Sequence, residues 1–467
     1  MSNIILRALF RRLAQHSHYS AKVIFANGSV YESHPGKTPD FTLKFKKRWA
    51  QWWSIVFFND GALEMYVKGH LDVSGKEAFG KIAVLAFSAF VHTHNESKDS
   101  FPNPLMSLRK WWQEKTQNNT NREVAMSNAD FHYANHPALF EQILGNTVGY
   151  SEGYWTPNTK TLDQAKHNIY EYICRKLRLA PGMRVVEVGH GWGFMTIYMV
   201  KNYDVDVVVY NPVKRQNDYL EERAKHYGVS DRIKIILGDH RDIAKEAGSF
   251  DRFVTIGVHE HHGYDQKQYD LWWNSIKTAL KPDGIGVIST SGYLEKHYTK
   301  YFTLKYIWPG GHLPCLPDEL RALQHSGLTL IEIENLWPHY QKTTAYWDKL
   351  FERNWDKIQK ADPEHFTEQF RRAWTVYLGT ITEVFSSGLD NYHIIFANGR
   401  NTTNYPWTHE GKYLGKFAEG EDKVECYSIA PEYVETETPN PISVEEILTI
   451  GNEIGSSPTE EKNALGS

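Results

Sequence analysis

The chain is predicted to fold as a small α+β domain over residues 1–115 followed, over 131–400, by an α/β domain built on a mostly parallel, doubly wound sheet. Three observations predict the second unit. Short apolar, β-branched runs recur at 184–188, 205–209, 233–237, 250–257 and 284–290; segments of helical length separate them; and the first run ends in a glycine turn, Gly189, Gly191 and Gly193. Runs this short and this rich in valine and isoleucine are strands, and strands alternating with helical spacers pair in parallel. The glycine turn brings main-chain N–H groups and a helix N-terminus close to a polar ligand, or simply makes a tight corner.

Taken in order, Asn3 to Ala14 sets Ile4, Ile5, Leu6, Leu9, Phe10 and Leu13 against Arg7, Arg11 and Arg12, a short basic amphipathic helix. Such a helix can lie on an anionic membrane surface, but the expectation is that it packs on its own domain. Strands follow at Lys22 to Phe25, Val30-Tyr31, Phe41 to Phe45, Trp53 to Phe58 and Leu63 to Val67. Asn27-Gly28 and Asn59-Asp60-Gly61 supply hairpin turns. Ser74 to His92 reads as a helix, with Ser74 and Glu77 at capping-box spacing. Residues 95–128 turn polar, and 116–130 are assigned to a linker. A helix from Thr161 to Leu179 leads into the first strand of the sheet, and His393 to Ala397 is the last strand. Residues 401–467 form an extension without motifs, its polar end expected to be disordered.

Composition excludes several classes. A formal net charge of -4 gives no general case for nucleic-acid binding. Cys174, Cys315 and Cys426 lack metal or disulfide spacing, so a reducing cytoplasm is expected. No run of about 18 apolar residues exists to span a membrane. The 15 Trp, 27 Tyr and 22 Phe suit a ring-lined apolar pocket as well as an ordinary large core. His259 and His261 alternate on an extended segment without a third ligand at metal spacing, so no metal is expected.

On a sheet of this kind ligands bind at the carboxyl ends of the strands. Those ends are Gly189 to Gly193, Tyr210-Asn211, Gly238-Asp239, His259 to His261 and Ser289 to Gly292. A nicotinamide site usually has an acidic residue ending the second strand, and here Tyr210-Asn211 stands there instead. Glu187 opens an E-x-G-x-G-x-G ending that resembles S-adenosylmethionine (SAM) methyltransferases.

Five motifs in order extend the resemblance: Y-S-x-G-Y-W at 150–155, V-x-E-V-G-x-G-W-G at 185–193, F-D-R-x-V-x-I-G-x-x-E-H at 250–261, Y-I-W-P-G-G at 306–311 and H-Y-x-x-T at 339–343. Together they make residues 131–397 similar to the cyclopropane-fatty-acyl-phospholipid synthase family, which includes the mycolic acid methyltransferases. The resemblance implies a Rossmann-like SAM-dependent methyltransferase domain behind a lipid-binding domain. It also implies methylation or cyclopropanation of the cis double bond of an unsaturated phospholipid acyl chain, in a cytoplasmic protein peripheral to the membrane, with a homo-oligomer allowed. Another alkene lipid such as an isoprenoid, or non-catalytic lipid carriage, are the alternatives. The family pattern puts Gly189, Gly191 and Gly193 under the methionine and ribose of SAM, Tyr133 and Ser151 at its amino-acid end, Gln216 with Asn211 near the ribose, and Asp239 with His240 at the adenine.

The departures carry a second expectation. The family's base resembles a bicarbonate held by a cysteine, a glutamate, a histidine and a tyrosine; this chain keeps Glu260 and Tyr340 but has Glu152 for the cysteine and Ser289 for the histidine. Two carboxylates would crowd a bicarbonate. Glu152 is therefore expected to occupy its position and act as base, sharing a proton or hydrogen bond with Glu260. Ala134 replaces an aspartate after His132-Tyr133, and His190 a cysteine in the glycine loop, so a methyl or methylene branch is as much expected as a ring.

Overall fold

A computed structural model describes residues 1–15, 17–94, 104–133, 137–263, 265–297 and 299–400. Ala134 and the 401–467 extension lie outside them.

The N-terminal unit begins with helix α1 (Ser2–Ala14), then strands β1 (Ala21–Ile24), β2 (Val30–Glu32) and β3 (Phe41–Phe45), helix α2 (Arg48–Val67), strand β4 (Leu71–Ser74) and helix α3 (Ala78–His94). Its sheet runs β2-β1-β3-β4. Asn27-Gly28 makes the β1–β2 hairpin, with Gly28 at φ +82°. Leu6 of α1 is buried in this unit's core, with Leu9, Phe10 and Leu13 packed against it, as expected of a helix that covers its own domain.

The expected strands at 53–58 and 63–67 are instead the single helix α2. Among its buried positions Ala50, Ser54, Phe57, Gly61 and Glu64 fall at helical spacing, and all of them but Phe57 are small or polar. The aromatic residues at Trp49, Trp53 and Phe58 sit at least partly outside that stripe and imitate a strand pattern. Asn59-Asp60-Gly61 marks a kink, where Phe58 adopts φ 47° and ψ -131°, and not a hairpin. The helix read from Ser74 starts only at Ala78, because Leu71–Ser74 pairs with β3.

Helices α4 (Pro104–Thr116), α5 (Arg122–Tyr133) and α6 (Pro137–Ile143) follow. The polar stretch read as a linker is thus partly helical, and its side chains bond to the second unit: Asn119 Nδ2 donates to His261 O at 2.7 Å and to Gly310 O at 3.1 Å. Polar composition here satisfies loop carbonyls.

The second unit comprises α7 (Leu162–Leu177), β5 (Arg184–Val188), α8 (Phe194–Tyr203), β6 (Asp206–Asn211), α9 (Lys214–His226), β7 (Ile233–Leu237), β8 (Phe250–Ile256), α10 (Gln266–Ala279), β9 (Leu280–Gly292), α11 (Tyr301–Tyr306), α12 (Leu316–Ser326), β10 (Thr329–Asn335), α13 (Trp337–Ala361), α14 (Glu368–Ser386) and β11 (Asp390–Ala397). Its seven strands lie in the order β10-β11-β9-β8-β5-β6-β7. From β9 to β7 all neighbours are parallel; β11 runs antiparallel between β9 and β10. The order reverses between β5 and β8, which places a crevice at the glycine turn. A third apolar body, carrying Phe140, Trp192, Trp347, Trp374 and Tyr377, joins α6, α13 and α14 to Val67 and Phe79 of the first unit.

Candidate active site

One cavity opens at the carboxyl ends of β5, β6 and β8. Its wall carries Tyr133, Ser151, Glu187, Gly189, Gly191, Asn211, Gln216, Asp239 and His240, nine of the ten residues expected around the cofactor. The three glycines have separate reasons. Gly191 (φ +54°) has nothing within 4 Å of where a Cβ would stand, so its open side faces the cavity. At Gly189 (φ +71°) a Cβ would run into Val258. Gly193 (φ +84°) is the residue outside the wall; it caps α8, and a Cβ there would lie 2.5 Å from Leu220 Cδ1. Backbone handedness and packing demand glycine at 189 and 193, and ligand space at 191.

Polar groups line the rest. Glu187 accepts from Thr196 Oγ1 at 2.6 Å, and burial pushes its carboxyl up to about 7. Asn211 Nδ2 donates to Gln216 Oε1 at 3.1 Å, which orients both amides at the end of β6. Asp239 works against burial and stays below the usual carboxylate range because Arg241 grips it, Nη2 donating to Oδ2 at 2.6 Å. His240 packs on Trp272 with ring centroids 4.4 Å apart, and burial holds it neutral. Tyr133 Oη meets His261 Nε2 at 3.0 Å. A glycine cradle, carboxylates near β5 and β7 and amides between them fit the amino acid, ribose and base of SAM.

Beside the cavity, and joined to its wall through Tyr150 and Ser151, lies a second cluster. The loop Tyr150 to Trp155 is pinned by the H-Y-x-x-T motif on α13: the Gly153 N–H and Trp155 Nε1–H both donate to Thr343 Oγ1, at 2.9 and 3.0 Å, and the Trp155 N–H donates to His339 Nδ1 at 2.9 Å. From α7 the buried Lys166 bonds Ser151 O and reaches Glu152 O at 3.1 Å. Burial brings its ammonium down to about 7. The loop therefore delivers Glu152 on a fixed backbone.

Glu152 is fully enclosed. Its Oε1 accepts from Ser289 Oγ at 2.7 Å and from His393 Nε2 at 2.7 Å. Burial opposes its charge, yet these two donors outweigh burial and hold the carboxyl at about 2. Glu260 behaves oppositely: it accepts from the Ser291 N–H at 2.8 Å, and burial, reinforced by the charge of Glu152, lifts it to about 7. The two carboxyls feel each other electrostatically, but each hydrogen bond found among the described residues goes to a different partner, so the proton or hydrogen bond expected to be shared between them is not found: Glu152 is held by donors of its own and burial favours the protonated form of Glu260. Tyr340 stacks on Phe385 at 4.7 Å and lies edge-on to Trp347 at 5.8 Å; burial raises its phenol well above the ordinary value. Tyr150, Tyr377, His132 and Trp308 continue the ring-lined wall, with Tyr150 Oη and Tyr377 Oη 2.9 Å apart.

Sequence reasoning missed Lys166 and His393. Lys166 and His393 sit on elements read only as helix and strand, and a lone lysine in an amphipathic helix gives no signal. His393 could have been found only from strand pairing, because it is the direct partner of Ser289 across β11 and β9. The fold does not pair His259 with His261, whose Nε2 meets Tyr133; it gathers His259, His262 and Glu319 of α12, with His259 Nε2 2.6 Å from Glu319 Oε2, a set of three possible metal ligands that the sequence spacing did not show. Burial lifts Glu319 to about 7 and lowers both imidazoles.

The description of the mycolic acid cyclopropane synthetase family matches residues 120–395. A probable fatty acid methyltransferase of Pseudomonas putida is 29% identical over 296 residues, spanning 61% of this chain and 72% of the relative. The cyclopropane-fatty-acyl-phospholipid synthase of Escherichia coli (strain K12) is 32% identical over 272 residues, spanning 57% of this chain and 67% of the relative. Among solved structures, a mycolic acid cyclopropane synthase complexed with SAH and CTAB superposes with a TM-score of 0.53 at 25% identity, over 58% of this chain and 98% of that one.

Proposed function

The chain belongs to the mycolic acid cyclopropane synthetase family and is a SAM-dependent methyltransferase, and from that premise we propose that it methylates or cyclopropanates the cis double bond of unsaturated phospholipid acyl chains, with Glu152 as the base. SAM supplies an electrophilic methyl group. An alkene is a weak nucleophile, so the protein must align it with that group and exclude water, since attack leaves a cation on the acyl chain. The rings of Tyr340, Tyr150, Tyr377 and Trp308 supply negative π faces for that cation. A proton must then leave. If it leaves from the added methyl carbon, the C–H electrons close a ring; if from the chain, they form a double bond and leave a branch.

The observation that carries the role of Glu152 is its buried carboxylate, fixed by Ser289 and His393 on one oxygen. A proton beside a carbocation is strongly acidic, so a base held at about 2 suffices, and its low value keeps it ionised for every turnover. Glu260, near 7, carries a proton part of the time and so repels Glu152 less than a second full charge.

Helix α4 supports a lipid in a bilayer as acceptor. Leu105, Leu108, Trp111 and Trp112 are 52, 58, 51 and 60% exposed on one side of it, and Lys115 Nζ lies 5.1 Å from the Trp111 ring. Paired tryptophans, leucines and a lysine on an amphipathic helix suit the headgroup region of an anionic membrane. Helix α5, which follows, contributes Ala125, Met126 and Ala129 to the cofactor cavity, so a docked α4 sets that cavity near the surface. Among the described residues no helix is long and apolar enough to cross a membrane.

The test is to incubate the protein with methyl-labelled SAM and vesicles of cis-monounsaturated phosphatidylglycerol and phosphatidylethanolamine, and to identify products by mass spectrometry and proton NMR. Label in the acyl chain is expected, and NMR separates ring from branch. SAM binding without transfer to acyl lipid refutes the acceptor and turns attention to isoprenoid alkenes or lipid carriage.

A further inference from the structure

Ser289 on β9, His393 on β11 and Glu334 on β10 are direct cross-strand partners, one row across three antiparallel strands. Directly opposed residues on such strands point to the same face with Cβ atoms roughly 5 Å apart. Lys176 from α7 drops onto that row: its Nζ lies 2.8 Å from His393 Nδ1 and 2.5 Å from Glu334 Oε2, while Tyr172 Oη donates to the same oxygen at 2.9 Å. Glu152 stands at the other end, bonded by Ser289 and His393.

The row has one consistent proton assignment. Lys176 can only donate, so Nδ1 of His393 must accept, Nε2 must carry the proton, and that proton must point at Glu152. A buried lysine thus fixes the imidazole tautomer, and a buried imidazole fixes the carboxylate. Glu334 neutralises the lysine, so the imidazole does not need to be charged to hold its place. The groups that face His393 are Glu152, Ser289, Lys176 and Glu334, with His339 near enough to interact electrostatically.

We propose that His393 is a positioning residue for the reaction: it orients the Glu152 carboxylate through Oε1 and keeps it ionised, under the control of Lys176 and Glu334. This rests on the assignment of Glu152 as base. Because positions 289 and 393 are opposed on the ladder, the two side chains should be exchangeable, with a histidine at either position reaching the same carboxylate.

Two measurements test the proposal. The first needs no turnover. Two-bond proton–nitrogen spectra of 15N-histidine-labelled protein, with His393 assigned by difference against His393→Gln, should show the Nε2–H tautomer, neutral at pH 7. Lys176→Met should mix the tautomers. A Nδ1–H tautomer or an imidazolium at pH 7 overturns the proposal.

The second is the pH profile of kcat in the vesicle assay. His393→Leu is expected to lower kcat roughly 10- to 100-fold, the loss of one hydrogen bond to a charged group. Its acid limb should also move to higher pH, since an ionised Glu152 loses its donor. His393→Gln, which retains an N–H, should recover part of both. Ser289→His/His393→Ser should exceed His393→Ser alone. Binding of SAM serves as the folding control, as none of these residues lines its cavity. An unmoved acid limb in His393→Leu, or an exchange variant no better than His393→Ser, overturns the proposal. Glu152→Gln separates it from its premise: turnover in that variant removes Glu152 as base, whereas an inactive Glu152→Gln beside a fully active His393→Leu removes His393 alone.

Discussion

Replacing Glu152 by glutamine keeps the shape of the side chain and an oxygen for Ser289 and His393, and removes the charge. If Glu152 takes the proton, kcat should fall roughly 10²- to 10⁴-fold, the usual contribution of a general base, which is on the order of 3 to 5 kcal/mol of barrier. Stability should fall as well. The carboxyl is held at about 2 against an ordinary 4.5, a shift worth on the order of 3 kcal/mol. The folded value lies below the unfolded one, so this stability is complete above pH 4.5 and drains away as pH falls toward 2. The gap between parent and variant in urea unfolding should therefore be flat near neutrality and narrow only below about pH 4.5. Single-turnover transfer from labelled SAM, denaturant titration at several pH values and SAM binding together make the assay. A second arm strips carbonate from the buffer: the parent should be indifferent, because its base is covalently part of the chain. Turnover unchanged in Glu152→Gln, or a parent that stops without bicarbonate, refutes the reasoning.

Two further outcomes follow from the geometry. Gly191→Ala puts a methyl group into the open cavity at φ +54°, and should weaken SAM binding at least tenfold by calorimetry at a stability cost of about 1 kcal/mol; Gly193→Ala meets Leu220 and should destabilise by about 1 to 3 kcal/mol with a smaller effect on binding. Equal effects of the two on affinity would contradict their separate assignments. Trp111→Ser/Trp112→Ser should reduce co-sedimentation with phosphatidylglycerol vesicles severalfold and leave SAM affinity alone, and undiminished sedimentation would dismiss α4 as the membrane contact.

What the sequence determined by itself was the pattern that local forces fix. Alternating β-branched runs, helical spacers and glycines made the sheet and its crevice legible, because strand, turn and helix each depend on a few neighbouring residues; the nine residues of the cofactor wall were legible only through the resemblance to a known family. Local pattern also misled, at α2, where aromatics partly outside the buried stripe imitate strands. Tertiary structure alone decided which donors converge on Glu152. The antiparallel insertion of β11 between β9 and β10 sets His393 opposite Ser289, more than a hundred positions away in the chain, and the packing of α7 on that face supplies Lys166 and Lys176. Whether a glutamate in a loop is an ordinary acid or a clamped, permanently ionised one depends on its burial and on donors that converge from distant elements, and neither is encoded in the residues beside it.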